Sequence, residues 1–237
     1  MKGFFTVVAV ALLLSLSGCA PLETIATHHF ASGYYNLKPA GAEPSKVYAD
    51  VNGDSLAVYP LKPGSKEPDI ESAKVAEISK IDPGSYLYKS SFRKASIDAD
   101  LSTVITKLRP ASSGVPIQLN STINAIFYLG ARRDFYIIRT SRSVLNNSSS
   151  FIRQLGYDAG FFAGMGITPV NPTVTNDRTL LEYDGVVFQK GIAAFVTIDN
   201  LSIGVALGFD NLLGGDSDIW IYNNKPWVGI VLGIANF

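Results

Sequence analysis

The side chains with the most reactive chemistry in this sequence are its single cysteine, Cys19, and two adjacent histidines, His28 and His29. One cysteine cannot form an intramolecular disulfide, and a lone cysteine is usually a small buried apolar residue, but the position of Cys19 indicates another role. The histidines have no Asp, Cys or further His at ligand spacing, which favours a solvated pair over a metal site. Because no other histidine exists, a Ser–His–Asp triad and histidine acid–base catalysis have no support. We therefore expect no enzymatic activity, no cofactor and no metal.

Cys19 follows a segment typical of secretion signals. After a positively charged start, Phe4–Leu16 is an apolar run of 13 residues, shorter than the roughly 20 of a spanning helix. The run ends in the sequence LSGC, Leu16–Cys19. This tetrapeptide resembles the lipobox of bacterial lipoproteins, which implies cleavage between Gly18 and Cys19 and acylation of the cysteine. The alternative is an ordinary signal peptide with an incidental cysteine.

The resemblance also implies a location and a partner. Ala20 follows the cysteine where lipoproteins retained at the inner membrane carry Asp, so we expect lipid anchoring at the outer membrane of a Gram-negative bacterium. Acylated Cys19 would bind membrane lipid, because each buried CH2 contributes about 0.8 kcal/mol. The predicted organisation is a signal peptide (1–18), a lipidated tether (19–45), a small polar β module (46–85) and a larger β domain (86–237).

The composition points to a membrane setting and away from nucleic acid. Hydrophobic residues make up 47% of the chain and charged residues only 17%, below the roughly 25% of ordinary soluble domains. Mean hydropathy is positive, at +0.19. The formal net charge is zero, so no basic surface for nucleic acid is indicated.

The pattern after residue 85 is strict alternation, which predicts strands rather than helices. In Leu155–Ile167, large apolar residues alternate with a series that contains four glycines. The runs Val186–Ile198 and Leu201–Phe209 alternate likewise and are joined by a predicted tight turn at Asp199-Asn200. An earlier hairpin is predicted at Asn52-Gly53.

These runs predict an all-β, antiparallel fold. The runs are long enough to cross a bilayer, and the face opposite their large apolar residues carries small residues. Both features favour a small, about eight-stranded outer-membrane-type β-barrel with its apolar face outward. The alternative is a soluble β-sandwich or lipocalin-like barrel with the apolar face inward. The strand count stays open, because Phe135–Arg142 is either a further strand or the continuation of the preceding one.

The last third of the chain carries a second resemblance. The segments Leu181–Val187, Gly208–Leu213 and Trp220–Trp227 resemble uncharacterised, β-barrel-like outer-membrane-associated proteins of Bacteroidota-type bacteria. This implies an envelope setting and brings no activity with it. The terminal Phe237 resembles the last-residue aromatic that the barrel-assembly machinery recognises, which implies that machinery as a partner.

Charged residues on the polar strand faces are candidates for structural ion pairs. Arg132 could pair with Asp98 or Asp100 inside a narrow barrel and so plug its lumen. Asp98 and Asp100 could also be read as a catalytic carboxylate pair, although strand neighbours at this spacing suit a lumen lining equally well. A wider set of arginines could instead contact lipopolysaccharide or lipid phosphates: Arg132, Arg133, Arg139, Arg142 and Arg153.

A second acidic cluster lies near the end of the chain. Asp210, Asn211, Asp216 and Asp218 could hold Ca2+, but they do not follow the EF-hand pattern, and the favoured interpretation is a solvated turn.

The expected function is that of an outer-membrane-associated lipoprotein with a structural, envelope or minor transport role. The alternative is a lipid-tethered soluble β domain that binds a hydrophobic ligand or an envelope partner. Several copies could contribute strands to one larger barrel, so an oligomer is possible.

Overall fold

The computed structural model describes residues 30–142, 148–199 and 201–234, and these are organised as antiparallel β-sheet. The predicted sites at Gly18, Cys19, the histidine pair, Asn200 and Phe237 lie outside the described residues. Two single turns of 3-10 helix occur, at Ile78–Lys80 and Thr173–Thr175. The strands are β1 (Gly33–Lys38), β2 (Ser45–Asn52), β3 (Ser55–Pro60), β4 (Lys74–Glu77), β5 (Ser91–Arg109), β6 (Gln118–Asn120), β7 (Asn124–Arg142), β8 (Ser148–Val170), β9 (Tyr183–Ile198), β10 (Leu201–Leu212) and β11 (Pro226–Ile234).

Six of these strands form a closed ring of antiparallel pairings. The order is β5-β7-β8-β9-β10-β11, and β11 pairs back onto β5 through Val228↔Leu108 to Gly233↔Ser102. The all-β, antiparallel class predicted from the sequence is confirmed, and the ring contains six strands. The sequence did not decide whether Phe135–Arg142 is a separate strand. In the structure it is the second half of β7.

The ring has two distinct ends. The β9–β10 connection and the end of β11 lie at one end, here called the lower end. The loops 110–123, 171–182 and 213–225 lie at the opposite, upper end. The long strands β5, β7 and β8 extend past the ring at the lower end, where β1 joins the sheet by pairing with β5.

Strands β1 to β4 form a module that continues this sheet in the order β5-β1-β2-β3-β4. The predicted hairpin is confirmed, since Asn52 pairs with Ser55 around Gly53, whose φ is +59°. The tether predicted to run to residue 45 is corrected, because β1 falls inside it. The reason is that Tyr35 and Leu37 bury alternate side chains in the core of the module. Burial raises the pKa of Tyr35 to about 12, with a smaller contribution from Asp134.

The strands of the ring carry many large apolar side chains on the outside. The alternation predicted for β10 is observed, with its odd positions exposed and its even positions buried from Leu201 to Gly208. Phe161, at the middle of β8, is 74% exposed. We call this surface the apolar belt, and it includes Ile97, Leu101, Phe127, Leu129, Leu155, Tyr157, Phe161, Met165, Val186, Phe188, Ile192, Val196, Ile198, Leu201, Ile203, Val205, Leu207, Val228 and Ile230.

No helix within the described ranges is both long enough and apolar enough to cross a membrane.

Candidate functional site

The interior of the ring is filled by side chains at successive levels. A polar group around Arg132 lies toward the lower end. Above it is an apolar layer of Val104, Ile126, Tyr128, Phe162, Ala193, Phe195, Ala206, Trp227 and Val231. A second charged group, around Asp210, follows toward the upper end, and the loops there cover it with an apolar cluster that includes Val174 and Trp220.

The lower polar group is organised by Arg132. Its Nε donates hydrogen bonds to both carboxylate oxygens of Asp134, at 3.0 and 3.1 Å, and its Nη1 donates to Asp98 at 3.3 Å. Gln154 Nε2 donates to Asp134 at 2.9 Å. These contacts fix the guanidinium across three neighbouring strands, β5, β7 and β8.

The structure brings Arg132 together with Asp98 but not with Asp100. The side chain of Asp100 instead accepts a hydrogen bond from Ser102 Oγ, at 3.4 Å. The nearer partner, Asp134, was not identified from the sequence. The sequence did contain an indication of this pair. Residues two positions apart on a strand share a face, and Asp134 follows Arg132 by two positions.

Replacing Arg132 with alanine is expected to lower the free energy of unfolding by about 1–3 kcal/mol, because a nearly buried carboxylate loses its charged donor. The measurement is thermal or urea unfolding of the purified protein in non-ionic detergent. Arg133→Ala is the matched control, since Arg133 is the next residue and points outward. Equal stability of the two variants would contradict a structural role for Arg132.

The upper charged group is organised by Asp210, whose side chain is fully buried. Lys107 Nζ donates to both carboxylate oxygens, at 3.1 and 3.0 Å. Trp227 Nε1 donates at 2.7 Å, and Arg109 Nη2 also donates to the carboxylate. The side chains of Lys107 and Arg109 are only 1% and 2% exposed.

Aromatic rings surround these two cations. Lys107 Nζ lies 4.7 Å from the ring centroid of Trp227. The guanidinium carbon of Arg109 lies 5.0 Å from the ring of Trp220 and 5.2 Å from that of Tyr222. Burial raises the pKa of Tyr222, against a smaller opposite effect of Arg109, so the phenol stays protonated.

Asp210 corrects the interpretation of the last acidic cluster as a solvated turn. Strand β10 extends to Leu212, so Asp210 occupies an inward position of a strand rather than a loop. The other two carboxylates do stay in the loop, where Asp216 accepts a hydrogen bond from Tyr183 Oη at 2.8 Å and Asp218 is exposed. Within the described ranges, no group of three or more His, Cys, Asp or Glu side chains is placed to hold a metal ion.

Lys107 and Arg109 were missed because a β-bulge reverses the alternation of β5. Up to Val104 the even-numbered residues point inward, which predicts that Lys107 points out. The pairing of β5 with β11 shifts register between Ile230 and Val231, opposite residues 104–106. An extra residue in one strand moves the following side chains to the other face, and this turns both cations into the interior.

Of the other arginines in the sequence cluster, the side chain of Arg142 lies outside the described part of the structure. Arg133, Arg139 and Arg153 are exposed on the outside of the lower end. Arg153 lies 3.8 Å from Asp199, and both side chains are largely exposed. The arginine cluster of the sequence is therefore divided in the structure. Arg132 lies inside the ring, and Arg133, Arg139 and Arg153 lie outside it.

Comparison of the chain with protein-family models, with curated proteins and with solved structures found no match.

Proposed function

We propose that this chain is an outer-membrane-associated lipoprotein whose six-stranded ring is a small β-barrel in the bilayer, with a structural or envelope role. The observation that carries the proposal is the apolar belt. A soluble β fold buries most of its large apolar side chains, whereas the ring exposes those of the belt and buries the charged side chains of Lys107, Arg109 and Asp210. Such an arrangement is that of a domain whose surroundings are apolar.

The magnitude of the exposed surface supports this reading. Full burial of one large apolar side chain contributes about 1.5–3 kcal/mol, and the nearly twenty side chains of the belt are 39% to 80% exposed. Contiguous apolar patches on soluble monomers rarely exceed a few hundred Å2. A surrounding hydrocarbon phase would remove the cost of this exposure, and acylated Cys19 would hold the chain at that phase.

The height of the belt also fits a bilayer. On β9 the outward positions run from Val186 to Ile198, twelve residues apart, and all of them are apolar except Lys190. At about 3.3 Å per residue this is about 40 Å along the strand, or about 28 Å along the membrane normal for a strand tilted by about 45°. The apolar band of outer-membrane barrels is about 25 Å tall.

The filled interior favours a structural or envelope role over transport. The Arg132 group, the apolar layer and the Asp210 group occupy successive levels of the ring. A solute would have to displace buried ion pairs, and breaking one such pair typically costs about 3–5 kcal/mol.

The loops support an orientation. Bacterial barrels keep short turns on the periplasmic side and long loops outside, so the lower end, with the short β9–β10 connection, would face the periplasm. The module, which contains the first described residue, Phe30, belongs to this end. Arg133, Arg139 and Arg153 would then contact phospholipid phosphates of the periplasmic leaflet rather than lipopolysaccharide.

A second candidate function keeps the lipid anchor but places the β domain in water, with its apolar surface covered by a ligand or partner. A depression of about 490 Å3 in the belt favours it, because small outward residues there leave room between larger ones. The depression lies between β8 and β11 and includes Ala159, Phe161, Ile192, Ala194, Leu207 and Val228.

Membrane fractionation of a Cys19→Ala variant separates the two functions. If the ring is embedded, the variant stays in the outer-membrane fraction and keeps heat-modifiable migration on gels. Release of the whole variant into the soluble fraction would contradict an embedded ring and favour the tethered domain. Incorporation of a radiolabelled fatty acid into the wild-type chain, and not into the variant, tests the anchor separately.

Replacing Phe161 with arginine tests the bilayer contact itself. A charge at the middle of a lipid-facing strand costs about 2–4 kcal/mol, so we expect a loss of that size in urea titrations of folding into lipid vesicles. Leu180→Arg is the matched control, because Leu180 is 85% exposed but lies in an upper loop. Identical folding of the two variants in vesicles would contradict the proposal.

A further inference from the structure

The upper charged group contains more positive than negative charge. Lys107 and Arg109 both contact Asp210, which is the one carboxylate that the described part of the chain places within 4 Å of either cation. All three side chains are at most 2% exposed. Two buried cations on one carboxylate leave one positive charge without a counter-charge, which is costly in a site removed from water.

The same place holds several buried hydrogen-bond donors without an acceptor. Within the described ranges, Nε and Nη1 of Arg109, Nε1 of Trp220 and Oη of Tyr222 have no partner. Trp220 and Tyr222 are the residues whose rings pack on the Arg109 guanidinium, so all four donors belong to one neighbourhood. A buried donor left unpaired costs about 1–3 kcal/mol, and more when it is charged.

We propose that this cluster is a binding site for a small, singly charged anion, which contacts Arg109 beneath the upper loops. One negative charge balances the group. The anion also accepts hydrogen bonds from the donors that have no acceptor in the protein. Because aromatic rings and the apolar loop cluster pack closely around Arg109, chloride and formate are the small anions with which we test the site. The site lies inside the ring, so it does not depend on whether the apolar belt contacts lipid.

The chain provides its own reporter for this site. Its two tryptophans, Trp220 and Trp227, both pack against the cations of the cluster. The test uses the full-length protein in non-ionic detergent, with sodium gluconate replaced stepwise by sodium chloride, or by sodium formate, at constant ionic strength. We expect a saturable change in tryptophan emission and a melting temperature that rises with the logarithm of anion concentration above the Kd.

The variant Arg109→Gln leaves a balanced Lys107–Asp210 pair and should weaken the anion affinity at least tenfold. Arg133→Gln removes an outward arginine and should bind the anion like the wild type. Absence of a saturable response to either anion in the wild type would overturn the proposal and leave water as the acceptor. Equal responses in Arg109→Gln and the wild type would also overturn it. The wild-type titration decides the question even where Arg109→Gln fails to fold.

Discussion

Replacing Asp210 with alanine should lower the free energy of unfolding by about 3–5 kcal/mol, because removal of one partner of a buried ion pair leaves the other charge uncompensated. Here two cations lose their partner, since Lys107 and Arg109 both donate to this carboxylate. Trp227 Nε1 loses its acceptor as well. The expected result is a large fall in the urea midpoint and in the melting temperature of the purified protein.

The matched control for Asp210→Ala is Asp218→Ala. Asp218 belongs to the same acidic stretch of sequence but is exposed, so its loss should change stability by less than about 0.5 kcal/mol. A small effect of Asp210→Ala, comparable with that of the control, would contradict the view that this carboxylate organises the upper part of the ring.

Replacing Gly160 with alanine should cost about 3 kcal/mol or more. In the ring, Gly160 pairs directly with Gly130 of β7. A Cβ added at Gly160 would overlap the carbonyl oxygen of Leu129 and the Cα of Gly130, which are backbone atoms that no side-chain rotation can move aside. Overpacking of cores typically costs about 1–3 kcal/mol where side chains can adjust, and here the strands themselves would have to separate.

Gly215→Ala is the control for this substitution, because nothing lies within 4 Å of a Cβ added there. Both variants should be compared by thermal unfolding in detergent and by the yield of compact protein after refolding. If Gly160→Ala were as stable as Gly215→Ala, the close approach of β7 and β8 would not be required for closure of the ring.

Much of the ring follows from local pattern. Side chains along a strand alternate between its two faces with a period of two residues. The residues that share a face can therefore be identified from each strand's own sequence. Leu201, Ile203 and Val205 share one face as predicted, and Ser202 and Gly204 lie buried on the other. The antiparallel pairing of β9 and β10 was likewise predictable from the short connection at Asp199.

The charged interior was only partly predictable. Pairing of Arg132 with a carboxylate on a neighbouring strand was expected, but the choice of Asp98 over Asp100 depends on register between β5 and β7. Asp134 became the closer partner because it shares a strand face with Arg132. The alternation of residues along one strand does not show which carboxylate, on that strand or on a neighbouring one, lies closest to Arg132.

The sequence by itself determined the all-β class, which residues of a strand share a face and the hairpin at Asn52-Gly53, because all of these depend on neighbours within a few residues. Only the tertiary structure decided that the apolar faces of the ring point outward. Tertiary structure decided the closure of β11 onto β5, the six strands of the ring and the Asp210 group. The bulge near residue 105 exists only as a mismatch between two paired strands, so single-strand alternation placed Lys107 outside. Asp210 and Lys107 are 103 residues apart, and only the closed ring brings them into contact.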